Sequence, residues 1–229
     1  TLAICQSCTW NIYSPIFPAV FLAYPTWNSN YMNWLINSAN ISFGLSLYPV
    51  SVAIQKVGAR KVTIFSSIMI LSGAGLRCIT FEDDNTQKIV QVIAMLCNGL
   101  GGAYLNFGGP IVSELWFPSN ERTTATAIAS VATYTGAALG FIVGPIIVGK
   151  PTTMNAAKEV IHTLYYSEAV VCLVSVLLCL LYFPDRPKHP PSEAALVKRE
   201  TEQHRKQQQQ NNYANIALYP GYTDDGRIG

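Results

Sequence analysis

The sequence predicts an all-α membrane protein with six spanning helices and a soluble tail. Half of its residues are hydrophobic and only 12% are charged, whereas a typical soluble domain is about 25% charged. Apolar stretches that approach the roughly 20 residues needed to cross a bilayer recur along residues 1–183, and residues 184–229 are polar and charged. We therefore expect a six-helix transmembrane bundle over 1–183 and a largely disordered cytoplasmic tail over 184–229.

Short polar loops separate the six predicted spans. The spans cover about residues 1–24, 33–56, 62–81, 89–115, 123–149 and 161–183. The second span contains polar residues that include Asn37, Asn40, Ser42 and Ser46, so we expect its polar face to lie against other helices or water rather than lipid. The chain begins at Thr1 inside an apolar run, and we expect it to be part of a longer protein.

Loop charges predict the orientation of the chain in the membrane. Lys56, Arg60 and Lys61 lie between the second and third spans, the tail is rich in Lys and Arg, and residues 82–84 form an acidic loop between the third and fourth spans. Because Lys and Arg near short loops mark the cytoplasmic side, the second–third loop and the tail are predicted to be cytoplasmic. The formal net charge of +2 gives no argument for a nucleic-acid partner.

Glycines recur at a spacing of four residues in the fifth span. Residues 136–149 read GAALGFIVGPIIVG, which places Gly136, Gly140 and Gly144 on one helix face ahead of Pro145. Small residues at this spacing let a second helix approach closely within a bilayer. We expect these four residues to serve helix packing.

Polar residues in three spans are candidates for lining a cavity. Trp10 and Asn11 lie in the first span, Asn98 and Asn106 in the glycine-rich fourth, and Tyr134 in the fifth. Amide side chains within a bilayer need partners away from lipid, and an indole ring can stack on a cation or a flat heterocycle. These five residues are our predicted substrate contacts, with ordinary helix packing as the alternative for the first span.

Two ionisable residues stand out within the predicted spans. Glu168 is in the sixth span and Arg77 is near the end of the third. A buried carboxyl group can exchange protons near working pH, which predicts Glu168 as a proton-coupling residue. The alternatives are an interfacial glutamate or a glutamate paired with Arg77.

The sequence offers little for enzymatic chemistry. Gly44, Ser46 and His162 only partly resemble an intramembrane serine protease, since no second glycine follows the serine and His162 is expected at the opposite end of the bundle. Cys5 and Cys8 form a lone CxxC without further ligands nearby, so they are interpreted as packing residues. We predict no catalytic residue, no metal and no cofactor.

The second–third loop and the fifth span resemble the major facilitator superfamily. The loop SVAIQKVGARK resembles the superfamily motif G-x3-D-R/K-x-G-R-R/K, and Lys56, Gly58 and Arg60 match it as a cytoplasmic gate loop. Gln55 replaces the acidic residue of that motif. The resemblance implies the amino-terminal half of a twelve-helix transporter, whose missing carboxy-terminal six helices would complete the cavity.

A closer resemblance is to the solute-carrier family of feline leukaemia virus subgroup C receptor-type transporters. WNIYSP, GLRCI, WFPSNERTTATAIAS and GFIVGP, within residues 10–145, resemble segments of that family. The resemblance implies secondary transport of choline, ethanolamine or haem, or, for a lysosomal member, of pyridoxine with protons. It also implies that Trp10 matches a tryptophan that stacks on choline, while Tyr134 replaces a ligand-holding glutamine, which favours a flatter, hydrogen-bonding solute such as pyridoxine.

The resemblance further implies a lysosomal membrane, with the plasma membrane as the alternative. Residues 213–216, Tyr-Ala-Asn-Ile, fit a short endolysosomal sorting signal. The rival interpretation is a non-transporting membrane receptor or scaffold, in which the same glycines only hold helices together.

Overall fold

The computed structural model describes residues 2–182, apart from the side chains of Asn106, Phe107 and Leu115, together with seven separate residues between 196 and 211. The predicted disorder of the tail and the sorting tetrapeptide at 213–216 lie outside the described residues. Every regular element in the described part of the chain is an α-helix, so the predicted all-α class is confirmed.

Seven helices follow one another between residues 2 and 182. They are α1 (Leu2–Asn11), α2 (Tyr13–Ala23), α3 (Ser29–Val57), α4 (Ala59–Arg77), α5 (Asp84–Trp116), α6 (Arg122–Val148) and α7 (Met154–Tyr182). Each predicted span therefore overlaps helix, but the first is divided between α1 and α2 at Ile12.

Four helix ends differ from the predicted spans by four or more residues, namely the starts of α3, α5 and α7 and the end of α4. Helix α4 ends at Arg77, where the Cys78 amide donates to the Gly75 carbonyl and tightens the last turn. Helix α7 begins at Met154, because the Thr153 hydroxyl oxygen accepts the Ala156 amide at 3.3 Å and extends the helix beyond its apolar segment.

Three helices among the described residues, α5, α6 and α7, are long and apolar enough to cross a membrane. Helices α1 and α2 have 10 and 11 residues and are individually too short. Helix α3 has ample length, but asparagines and serines make it more polar. The count of six spans remains a prediction.

Helix α5 lies at the centre of the bundle. It packs against α3, α4, α1 and α6, while α7 packs mainly on α4 and α2. Ser42 of α3 faces this centre, since it donates to the Leu96 carbonyl of α5 at 2.7 Å. The asparagines of α3 lie on its exposed face instead.

The glycine ridge of α6 packs against α1 and α2. Gly136 lies against the Ile4 carbonyl, a Cβ at position 140 would lie 2.7 Å from the Cys8 carbonyl oxygen, and one at position 144 would lie 3.2 Å from an Ile16 methyl carbon. All three glycines are buried, and Pro145 follows on the exposed side of the same helix. No side chain larger than hydrogen fits positions 136 and 140 without moving a helix backbone.

Hydrogen bonds join the α2–α3 loop and the start of α5 at the end of the bundle that carries residues 82–84. Asp83 caps α5 by accepting the Thr86 amide at 2.7 Å and the Thr86 hydroxyl at 2.6 Å. The Trp27 indole donates to Asp84 at 3.0 Å and stacks on Tyr24 with ring centroids 4.3 Å apart. These contacts connect the α2–α3 loop to the start of α5.

We predict that Gly140→Ala destabilises the bundle. The added methyl group would force α1 and α6 apart, which costs about 1–3 kcal/mol for overpacking, and the thermal midpoint in detergent should fall by several degrees. Gly75→Ala is the matched control, because a Cβ at position 75 has no neighbour within 4 Å. Equal melting temperatures for the two variants would contradict the packing account.

The cap on α5 predicts a pH-dependent effect of Asp83→Ala. Hydrogen bonds from the Thr86 hydroxyl and amide lower the pKa of Asp83, so its contribution to stability is present above its unfolded-state pKa and is lost as pH falls through the lower folded-state pKa. The variant should therefore melt earlier than wild type at neutral pH, and the difference should shrink below about pH 4.

Glu82→Ala removes a neighbouring carboxylate that does not cap the helix, and it serves as the control for Asp83→Ala. Thermal melts over a series of acidic pH values provide the measurement. A stability difference for Asp83→Ala that stays constant throughout the series would show that the cap does not depend on charge.

Candidate substrate site

The first predicted span breaks in the middle of the bundle, at Ile12 between α1 and α2. Pro15 has no backbone N–H and would leave the Asn11 carbonyl without its donor in a continuous helix. The break places Pro15 in the first turn of α2, where the N–H groups have no intrahelical partner in any case. Trp10 and Asn11 are thus the last two residues of α1.

Gln6, Trp10, Asn98 and Gly102 come together next to this break. The Gln6 side-chain amide donates to Asn98 Oδ1 at 3.2 Å, and both side chains are buried. A Cβ at position 102 would lie 2.5 Å from Gln6 Nε2 and 3.1 Å from the Trp10 ring. Gly102 thus provides the space in which the side chains of Gln6 and Trp10 meet α5. We call Gln6, Trp10, Asn98 and Gly102 the Gln6–Asn98 group.

Two features of the Gln6–Asn98 group suit a small polar aromatic or cationic ligand. The Trp10 ring is only partly buried and contacts Phe43 of α3 edge-on, with centroids 5.7 Å apart. Within the described part of the chain, Asn98 Nδ2 is buried and has no hydrogen-bond partner. An aromatic ring can stack on a ligand, and an unused amide donor can hydrogen-bond to one.

The other predicted contacts lie on different surfaces. Asn11 lies against the glycine ridge, and its amide donates to the Ser7 carbonyl at 2.8 Å. Tyr134 is 75% exposed and lines a cavity of about 100 Å³ between α5 and α6, which is smaller than the roughly 300–1,000 Å³ of typical ligand sites. The side chain of Asn106 lies outside the described residues.

Sequence reasoning did not include Gln6 and Gly102 among the candidate site residues. Gln6 lies four residues before Trp10 and therefore on the same helix face, which is a signal that the sequence carries. The proximity of Gly102 to Gln6 and Trp10 depends on the way α1 packs on α5, which no local pattern indicates.

A second, open groove of about 620 Å³ runs along the exposed face of α3. Its lining comes from this one helix and consists of Asn30, Asn33, Trp34, Asn37, Asn40 and Ile41. The amide side chains follow the helical repeat, so they form one polar stripe. Asn40 belongs to this stripe, whereas Ser42 of the same span faces α5.

Arg77 and Glu168 form an ion pair inside the bundle. The distance from Arg77 Nη1 to Glu168 Oε2 is 3.1 Å, and the exposed fractions of the two side chains are 0% and 6%. Glu168 thus has the partner named by one of the alternative interpretations of the sequence. The pair joins α4 to α7.

The predicted gate loop is a turn of a single residue between two helices. Lys56 is in the last turn of α3, Arg60 is in the first turn of α4, and Gly58 between them has a φ of 96°. This left-handed conformation suits glycine. The two basic side chains therefore lie at the same end of the bundle.

The residues considered for other chemistry have structural contacts. Ser46 donates to the Ser42 carbonyl at 2.5 Å, and His162 packs against the rings of Tyr165 and Tyr166. Cys5 Sγ lies 3.0 Å from Ser175 Oγ. Among the described residues, no three His, Cys, Asp or Glu side chains are grouped as metal ligands.

Comparison with known proteins gives one family and several relatives. Residues 1–215 match the family model of the Major Facilitator Superfamily. The chain is 33% identical over 208 residues to the solute carrier family 49 member 4 homolog of Xenopus laevis, covering 86% of this chain and 45% of that protein. It is 23% identical over 192 residues to the human choline/ethanolamine transporter FLVCR2, covering 84% of this chain and 36% of that protein.

The fold resembles that of a solved transporter. A D-xylose–proton symporter superposes with a TM-score of 0.64 at 16% sequence identity, over 88% of this chain and 50% of the symporter chain. The chain spans less than half the length of the two curated relatives named above.

The Gln6–Asn98 hydrogen bond predicts a coupled effect on stability. Gln6→Leu removes the donor and leaves the buried Asn98 carbonyl oxygen unsatisfied, which costs about 1–3 kcal/mol. Asn98→Leu has the reciprocal effect on Gln6. The double variant should lose less stability than the sum of the two single variants, as measured by a double-mutant cycle of thermal unfolding in detergent. Strictly additive losses would show that the two amides do not interact.

Proposed function

This chain belongs to the major facilitator superfamily, and on that premise we propose that it forms one half of a secondary active transporter for a small organic solute. The observation that carries the proposal is the Gln6–Asn98 group. It combines a partly exposed indole ring with an unused buried amide donor at a helix break inside an apolar bundle. Unwound or broken helices at mid-bundle are where secondary transporters bind their solutes.

The favoured substrate is a flat, hydrogen-bonding molecule such as pyridoxine. The Trp10 ring supplies a stacking surface, and Asn98 Nδ2 supplies a donor for a hydroxyl or ring nitrogen acceptor. Asn11, Asn106 and Tyr134 remain proposed contacts, and Tyr134 would join the site only if the cavity between α5 and α6 widens during transport.

The alternative substrate class is a quaternary or primary ammonium compound. The human relative is named as a choline/ethanolamine transporter, and an indole ring binds such cations through its π surface. Haem is a third solute implied by the family resemblance. An ammonium cation makes less use of the Asn98 amide donor than pyridoxine does, because a cation attracts acceptors rather than donors.

The proposed transport cycle involves a second half of the protein and a driving ion. A second six-helix half supplies the other wall of the cavity, and the two halves rock against each other to expose the site alternately to each side. Protons drive the cycle through Glu168, with Arg77 as its counter-charge. Lys56, Gly58 and Arg60 close the end of the bundle at which α3 meets α4. The transporter acts in the lysosomal membrane, with the plasma membrane as the alternative.

Uptake by the full-length protein in proteoliposomes tests this function. We expect radiolabelled pyridoxine to accumulate against its gradient when an inward proton gradient is imposed, and radiolabelled choline to accumulate less. Preferential choline uptake would select the ammonium alternative. Absence of uptake of both compounds by protein that is shown to be folded would favour the receptor or scaffold interpretation.

Trp10→Ala tests the site within the same assay. Loss of one stacked ring should raise the KM for the transported solute about tenfold, which corresponds to about 1.4 kcal/mol. Phe65→Ala is the matched control, since it removes an aromatic ring that is 49% exposed on α4. An unchanged KM in Trp10→Ala would remove Trp10 from the site without removing the transport function.

A further inference from the structure

Arg77 contacts both sides of the break in the first span. Its Nη1 donates to the Thr9 carbonyl of α1 at 3.4 Å, and its guanidinium carbon lies 5.0 Å from the centre of the Tyr13 ring of α2. Along the sequence, Thr9 and Tyr13 flank Trp10, Asn11 and the break at Ile12. One cation on α4 therefore reaches the last turn of one helix and the first turn of the next.

Each of these contacts favours the observed geometry of the break. The carbonyl groups at the end of α1 carry the negative end of the helix dipole, which a cation stabilises. The Tyr13 ring adds a cation–π interaction, and its orientation is held because its hydroxyl donates to Gln91 Oε1 at 2.7 Å. Arg77 thus links the ends of α1 and α2 to each other.

The position of Arg77 depends in turn on Glu168. A fully buried guanidinium is costly without a counter-charge, and Glu168 provides one at 3.1 Å. Arg77 Nη2 also contacts the Met95 sulfur atom of α5 at 2.8 Å, but that sulfur carries no charge. Neutralising Glu168 would leave a permanent cation whose most favourable remaining acceptors are the carbonyl groups at the end of α1.

We propose that Arg77 is a positioning residue that sets the angle of the α1–α2 break, and that protonation of Glu168 shifts Arg77 and thereby reorients Trp10 and Asn11. In this step one proton from the aqueous side ends on a carboxylate oxygen of Glu168, and no other bond forms or breaks. The inference rests on the proposed proton-coupled transport. It adds that the proton acts on the solute through the helix break rather than by contact with the solute.

Few other groups near the pair titrate or carry charge. They are Cys8 of α1, Tyr13 of α2, Cys78 directly after α4, and Tyr165 and Cys172 of α7. Helix α6 has Arg122 and Tyr134 as its titratable residues: Arg122 donates to the Phe117 carbonyl, and Tyr134 lines the α5–α6 cavity. Within the described part of the chain, none of these neighbouring groups is a carboxylate, so Glu168 is the acid of this cluster.

Hydrogen–deuterium exchange over residues 7–17 of the full-length protein in nanodiscs tests the inference. After correction for intrinsic exchange, we expect wild-type exchange at this segment to rise as pH falls. Glu168→Gln, which mimics the protonated state, should exchange about tenfold faster at neutral pH and show no further pH dependence. Glu159→Gln on the exposed face of the same helix is the matched control and should behave as wild type.

Arg77→Lys and the neutral double variant provide further tests. Lysine keeps the charge but cannot contact Glu168, the Thr9 carbonyl and the Tyr13 ring together. Arg77→Lys should therefore raise the KM for radiolabelled pyridoxine or choline, although Glu168 is still present. If Glu168→Gln fails to fold, Arg77→Gln/Glu168→Gln removes both charges at once. That double variant should fold and show pH-independent exchange.

The outcomes separate the inference from the proposed function. Wild-type pH dependence of exchange in Glu168→Gln or in the double variant would overturn the inference while leaving transport possible. A third outcome is that exchange depends on Glu168 while the pH dependence of uptake is unchanged in Glu168→Gln. This outcome would retain the linkage between Arg77 and the break but would remove proton coupling from the function. Loss of both pH dependences in Glu168→Gln supports both.

Discussion

The close approach of α1 and α2 to α6 along Gly136, Gly140 and Gly144 is the packing contact on which the interior of this protein depends. Helices within a bilayer gain little from hydrophobic burial against each other, so van der Waals contact between backbones becomes a main source of stability. The glycines bring the Ile4 and Cys8 carbonyl groups directly onto α6. That contact determines where α1 lies, and α1 carries Gln6 and Trp10.

The interior that results contains two interacting pairs of polar side chains. Gln6 and Asn98 satisfy part of each other's hydrogen-bonding capacity, and Arg77 and Glu168 neutralise each other. Each of these groups would be costly alone in a low-dielectric environment, and each pair joins two helices. Among the described residues, amide nitrogens of Gln87, Gln91 and Asn98 on α5 remain buried without a partner. Replacing such donors with apolar side chains would increase the stability of the protein. We therefore assign a functional role to this part of α5.

The break at Ile12 connects these two features. It is the point at which α1, held by the glycine ridge, passes into α2, and the Gln6–Asn98 group and Arg77 both lie next to it. In the proposed transporter, a change in charge at Glu168 and a change in ligand at Trp10 therefore act on the same short segment.

Much of the fold follows from local properties of the chain. Apolar length correctly predicted the all-helical class, and the resemblance of the second–third loop and the fifth span to the major facilitator superfamily was confirmed by the family match. Local patterns also contained the reason for the break, since Pro15 removes a backbone donor, although the first span was predicted as one continuous segment. The end of α4 and the start of α7 differ from the predicted span bounds because hydropathy does not register a tight last turn or a side-chain cap.

The candidate site was less accessible to sequence reasoning. Trp10, Asn98 and Glu168 were selected because polar or ionisable groups are rare within apolar spans, a property that each residue shows by itself. The partners of these residues depend on which helix faces meet. Gln6 and Gly102 are the partners of Asn98 and Trp10. Arg77, which the sequence offered only as an alternative, is the actual partner of Glu168. The amino-acid sequence by itself determined the all-helical class, the positions of the helices and the residues too polar for lipid, because these properties depend on neighbours along the chain. Only the tertiary structure decided that Arg77 reaches both sides of the break and that Tyr134 lies apart on the α5–α6 cavity, because these contacts depend on how closely and at what angle separate helices pack.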